Sequence, residues 1–204
     1  MVVAAAVVAG ASWILVDRPA VPALEALAFR WVNSGHPALW PGLWLVMQLG
    51  NVVAPVAVAG ALAVAWRHWR PVVAVLVSAY SAWASAQIIK QVVARGRPNG
   101  LLADVVLREG ADGLGFVSGH MTVAAAMATA LWPYLRRPWR CLAATLCVLV
   151  GLGRVYAGVH LPLDVIGGAA VGVVVGLLAN ALVGVPRPDQ HPVTDPQPRR
   201  DPDT

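Results

Sequence analysis

The chain has 204 residues, 58% of them hydrophobic and 12% charged, with a mean hydropathy of +0.67. A soluble domain carries about 25% charged residues, so this composition excludes that class and points to an α-helical membrane protein. The formal charge of +5 does not indicate nucleic acid, because the basic residues fall in short clusters between apolar stretches instead of forming one water-facing patch.

Six stretches approach the length needed to cross a hydrocarbon layer of about 30 Å: residues 1–16, 38–66, 72–94, 119–135, 141–157 and 162–184. The first has no basic flank and no small-residue cleavage site, so it reads as a span and not as a cleaved leader. The expected fold is all-α, a polytopic bundle of six transmembrane helices over residues 1–184. From Val185 onward six prolines and little apolar surface predict a disordered tail, residues 185–204.

Basic residues gather on the cytoplasmic side of membrane proteins. Trp66-Arg67-His68-Trp69-Arg70-Pro71 joins the second and third stretches, and Arg136-Arg137-Pro138-Trp139-Arg140 joins the fourth and fifth. Both turns are therefore placed inside, and the tail with them, in a multi-pass cell-membrane protein. Segments 17–37, 95–118 and 158–161 then face the extracytoplasmic side. Trp31, Trp40 and Trp44 near one boundary, and Trp66, Trp69, Trp132 and Trp139 near the other, suit interfacial belts. Cys141 and Cys147 lie six apart on one expected helix, point in different directions and read as small core residues without a mutual disulfide.

Against this apolar background, charged and titratable residues stand in three blocks on the extracytoplasmic face, where each is costly unless it has work to do. Lys90 and Arg97-Pro98 are seven apart, close to two helical turns, which would bring two cations to the mouth of a span; Gly96 and Pro98 would end the helix. Ser118-Gly119-His120 opens the fourth stretch, with Ser118 as N-cap, so the free N–H groups and the positive helix end make an anion site. Arg154, His160 and Asp164 straddle an outer turn loosened by Gly158. Pro162 in the first turn of the last helix puts His160 at its lip and Asp164 one turn deeper, where the carboxylate can hold one imidazole nitrogen and leave the other as a nucleophile.

In order and spacing these blocks resemble the type 2 phosphatidic acid phosphatase family, which shares its pattern with vanadium-dependent haloperoxidases and glucose-6-phosphatase. The family pattern is Lys, six residues, Arg-Pro; then Pro-Ser-Gly-His; then Ser-Arg, five residues, His, three residues, Asp. Lys90, Arg97, Pro98, Ser118, Gly119, His120, Arg154, His160 and Asp164 match it; Val117 replaces the Pro and Gly153 the Ser. The resemblance implies phosphoryl transfer without a metal or other cofactor, through a covalent phosphohistidine. His160 would be the nucleophile, Asp164 its support and His120 the proton donor to the leaving oxygen, while Lys90, Arg97, Ser118, Gly119 and Arg154 would bind phosphate.

Cations at span ends favour a substrate whose headgroup stays at the surface while its tails remain in lipid. The expectation is a membrane lipid phosphatase acting on a phospholipid or on a polyprenyl phosphate or diphosphate. A phosphotransferase with the same phosphohistidine and a non-catalytic lipid-binding protein are the alternatives. Loop charges Asp104, Arg108, Glu109 and Asp112 border the expected site as solvated groups, and Arg95 and His36 approach it without a catalytic part. Gly168, Gly172 and Gly176 recur every four residues, a pattern for close helix packing within the protomer or in a homodimer.

Overall fold

Apolar runs punctuated by Pro and Gly fold into helices and connecting turns, with no strand among the described residues. The computed structural model describes residues 2–16, 20–66 and 68–185. The helices are α1 (Val2–Val16), α2 (Ala23–Asn33), α3 (Trp40–Met47), α4 (Ala54–Trp66), α5 (Trp69–Val93), α6 (Pro98–Leu101), α7 (Gly119–Leu131), α8 (Arg137–Tyr156) and α9 (Pro162–Val183). Apart from Val185, the expected tail lies outside the described residues.

Three helical stretches are long and apolar enough to cross a membrane: Trp69–Leu101, which joins α5 to the short α6, Arg137–Tyr156 and Pro162–Val183. The segment from Pro37 to Ala65 makes a fourth if its bent halves count as one span. The protein is thus an all-helical, multi-pass membrane protein. Large apolar side chains on its outer surface, among them Val64, Ile88, Val148 and Leu182, are exposed as lipid-facing residues are. Trp31, Trp69 and Trp139 are also exposed, which suits interfacial belts.

The stretch 38–66 is not one straight helix. It bends by 75° between its halves, because Gly50 lies against the first turn of α7 and Asn51 adopts an extended conformation. A Cβ on Gly50 would stand 2.5 Å from the His120 carbonyl oxygen, and Asn51 Oδ1 accepts from the Val53 N–H at 3.2 Å, turning the chain into α4. Gln48, Gly50, Asn51 and Pro55 interrupt the apolar run at this break, a local signal that the overall apolar length of the stretch hides. Segment 17–37, expected as an outer connection, contains α2. Leu24, Leu27 and Trp31 on α2 are exposed while Glu25, Ala26 and Phe29 are buried, the two-sided pattern of a surface helix.

At the centre stands α9, against which α1, α5 and α7 pack. The glycine stripe makes this possible. A Cβ on Gly168 would stand 2.7 Å from the Ser118 carbonyl oxygen, one on Gly176 2.7 Å from that of Ala126, and one on Gly172 would overlap that of Thr122. The stripe therefore seats α9 on α7 within the protomer, the close approach that small residues permit between membrane helices. Cys147 on α8 is partly buried, its Sγ donating to the Ala124 carbonyl of α7 at 3.5 Å, whereas Cys141 is exposed on the same helix and is not a core residue; both are free thiols.

Candidate active site

Helix ends place all three sequence blocks at one end of the bundle, opposite the turn at 136–140. The first block differs in detail from expectation. Helix α5 stops at Val93, with Ala94 in the left-handed region at φ 51° and its N–H donating to the Lys90 carbonyl at 2.9 Å. Lys90 and Arg97 therefore do not share a helix face. The chain turns through residues 94–96 instead, and Arg97 reaches across to the loop after α8.

There Arg97 Nη1 donates to the Val159 carbonyl at 2.7 Å and stands 3.2 Å from His160 Nε2, while its Nη2 donates to the Asp112 carbonyl at 3.0 Å. A guanidinium can only donate. His160 Nε2 is therefore the bare, lone-pair nitrogen, and the ring proton belongs on Nδ1, which lies 3.6 Å from Asp164 Oδ2. Asp164 Oδ2 also accepts from the Leu161 N–H at 2.8 Å, so this carboxylate caps α9 and faces the histidine at once. His160 sits in the turn between α8 and α9. Burial is the main cause that holds its imidazole below the usual histidine range, with Arg97 and Arg154 adding to it and Asp164 opposing.

The second block opens α7. Ser118 occupies the N-cap position, but its hydroxyl does not cap the helix. Ser118 Oγ, Arg97 Nε, Arg154 Nε and His160 Nδ1 are all buried with no hydrogen-bond partner among the described residues. Four unpartnered buried polar atoms on four site residues are expensive unless something completes them. Lys90, Arg97, Arg154 and His160 all lie within electrostatic range of His120, on the first turn of α7. The Gly119 backbone has open space beside it. The assembly gathers cations and an unprotonated imidazole nitrogen around a helix N-terminus, an arrangement whose chemistry suits an anion.

The loop 99–115 closes the rim and is less solvated than expected. Arg154 Nη1 bonds Glu109 Oε2 at 2.6 Å. Arg108 donates to the Asn33 and Tyr156 carbonyls at 2.9 and 2.6 Å and stacks over the Tyr156 ring, 3.9 Å from its centroid. The Asn33 side chain clasps both polar groups of Val106. Asp104 and Asp112 remain exposed. His36 stays outside the site: its ring accepts from the Ala38 N–H at 3.2 Å, and its carbonyl accepts from the Tyr156 hydroxyl at 2.8 Å. Arg95, by contrast, is drawn in. It bridges Asp164 and Glu25, an α2 residue that no motif marks.

Both departures from the family pattern fall in packed places. A Cβ on Gly153 would stand 2.6 Å from Met47 Cγ, so α3 occupies the room a serine would need. Val117 is buried beside Phe116, Ala86 and Val16.

The family model of the PAP2 superfamily matches residues 44–188. The chain belongs to the PAP2 superfamily. It is similar to the crystal structure of Aquifex aeolicus LpxE, at 27% identity and a TM-score of 0.73 over 78% of this chain and 96% of that one. It is also similar to the first transmembrane PAP2-type phosphatidylglycerolphosphate phosphatase from Bacillus subtilis, with a TM-score of 0.75 over 89% of this chain and 94% of that one. At 20% identity the second likeness speaks for the PAP2 fold alone. No curated protein gives a significant match.

Proposed function

We propose that this PAP2 protein is an integral-membrane lipid phosphatase that hydrolyses a phosphate monoester or diphosphate of a phospholipid or polyprenyl lipid through a covalent phosphohistidine. The observation that carries this reading is the bare His160 Nε2 set against Arg97, beside the unpartnered buried atoms of Arg97, Arg154 and Ser118.

In this mechanism His160 Nε2 attacks phosphorus as the bond to the leaving oxygen breaks, and His120 gives that oxygen a proton. Positive charge developing on the His160 ring is offset at Nδ1 by Asp164. Lys90, Arg97, Arg154, the Ser118 hydroxyl and the Gly119 N–H hold the equatorial oxygens. Water then attacks the phosphohistidine and passes a proton to His120, which releases inorganic phosphate and restores both histidines. The side-chain cations and the α7 terminus supply the stabilising charge, so the scheme uses neither metal nor cofactor.

In the membrane we place α1, the bent α3–α4 pair, α5, α7, α8 and α9 as six spans over residues 1–184. The arginine-rich turns and the tail 185–204 lie in the cytoplasm, and the site opens on the extracytoplasmic side. A headgroup can then enter from the lipid surface while its chains stay in the bilayer.

The test is phosphate release by purified protein and His160→Ala in detergent, with chelator, from phosphatidic acid, phosphatidylglycerophosphate and polyprenyl mono- and diphosphates. Turnover lost only in the variant is expected. Silence across the panel overturns the reading. Consumption of substrate without equal release of phosphate would assign the same phosphohistidine to a phosphotransferase.

A further inference from the structure

Glu25 lies in the first turn of α2, ahead of the residues that match the family model, yet its side chain is only 3% exposed. Its two oxygens bind both terminal nitrogens of Arg95, at 3.1 and 2.7 Å, and Oε1 also accepts from the Leu163 N–H at 2.9 Å. Arg95 Nη1 then donates to Asp164 Oδ1 at 2.7 Å. Asp164 is fully buried, and its other oxygen is the one that faces His160 and caps α9. We infer that Glu25, acting through Arg95, is a positioning residue that sets the rotation and the charge of Asp164 beneath His160. This rests on the phosphohistidine reading above.

Division of labour on Asp164 separates this role from a plain structural staple. Arg95 takes Oδ1 alone, so the carboxylate plane is fixed with Oδ2 toward the imidazole. Glu25 holds Arg95 in that pose with a two-pronged grip, the geometry that makes guanidinium–carboxylate pairs directional. By accepting from Leu163, it also fixes the first turn of α9, from which Asp164 projects. An unopposed Arg95 would draw Asp164 away from His160 electrostatically. Glu25 offsets that pull and leaves Asp164 able to stabilise the charged ring.

Opposite pH effects follow. Facing His160 are Asp164 from α9, Arg97 from the loop after α5, Arg154 from α8 and His120 from α7; all four stay in place in the sequence of either variant, and of these only Asp164 touches Arg95. Glu25→Gln removes a negative charge behind Asp164 and makes protonation of His160 harder, so the acid limb of the rate profile moves to lower pH. Arg95→Met removes a positive charge and moves that limb to higher pH. Substrate ionisation is common to all variants and cancels in the comparison.

The experiment measures phosphate release from dioleoyl phosphatidic acid in detergent micelles across pH, for wild type, Glu25→Gln, Arg95→Met and His160→Ala, together with inhibition by orthovanadate. We expect kcat to fall about tenfold in Glu25→Gln and about 100-fold in Arg95→Met, the scale of a misplaced catalytic group. KM and vanadate affinity should hold, and the acid limbs should move apart. Glu25→Gln is isosteric and carries the test if Arg95→Met does not fold. An inactive His160→Ala beside a Glu25→Gln with wild-type kcat and acid limb overturns this inference alone. Turnover by His160→Ala overturns the nucleophile and this inference with it.

Discussion

Glu109 holds Arg154 at 2.6 Å, so a loop carboxylate occupies part of the guanidinium that the phosphate is proposed to use. The Glu109 side chain is 34% exposed and that of Arg154 6%. Water screens such a half-exposed pair, which contributes about 0.2–1 kcal/mol. An arriving phosphate must displace Glu109 or share the guanidinium with it. Glu109→Gln should therefore lower KM for the lipid phosphate, and the inhibition constant of orthovanadate, by up to about fivefold. Steady-state kinetics with both ligands check this; a rise in KM would assign Glu109 to substrate recognition instead.

His120→Ala should reduce kcat by about 10²–10⁴ for a lipid phosphate, the usual scale of general acid catalysis. The loss should shrink for p-nitrophenyl phosphate, whose leaving group departs without a proton. An equal loss on both substrates would take His120 out of the acid's position.

Acid should affect the enzyme late. Burial and the nearby guanidinium groups hold the His160 imidazole below its ordinary value of about 6.5, so the nucleophile stays neutral as the pH falls through the usual histidine range. The acid limb of kcat/KM assigned to His160 is expected below pH 6.5, at the same place for substrates of different phosphate pKa. The sign for stability agrees. A histidine with a depressed folded-state pKa contributes stability that is present above the unfolded value and is lost as pH falls toward the folded one. Melting temperature in detergent should decline over that acidic interval, and by less in His160→Gln.

Gly172→Leu should be among the most damaging changes in α9, because its side chain would collide with the Thr122 backbone and not with a movable side chain. Overpacking of this kind costs about 1–3 kcal/mol or more. Thermal unfolding of the purified variant measures it. Gly10→Leu on α1, where nothing stands within 4 Å, serves as the neutral comparison.

The placement of Ser118, Gly119 and His120 at the start of α7, and of His160 and Asp164 around the start of α9, was legible because each block is local and Gly or Pro marks the helix end beside it. Helices α5, α8 and α9 were legible for the same reason, as continuous apolar runs closed by Gly or Pro. Glu25 was not, since its partners Arg95 and Leu163 lie 70 and 138 residues away and an acid in an amphipathic first turn looks like an ordinary helix-start residue. The bend at Asn51 is harder to read, because Gln48, Gly50 and Asn51 mark only a short dip in a long apolar run, and the contact that accompanies it, Gly50 on α7, is distant in sequence. The spacing of seven between Lys90 and Arg97 suggests one helix face, and Ala94, an ordinary helix former, gives no warning of the left-handed turn that separates them.

His120 lies in the first turn of α7 and His160 two residues before α9, and the two helices meet through glycine against main chain. The interval between the two imidazoles is thus gauged by backbone thickness, which cannot swap rotamers or yield by a methyl group. Drift in sequence elsewhere on either helix can alter what the bilayer touches while leaving that gauge untouched. A single methyl added along the stripe would reset it.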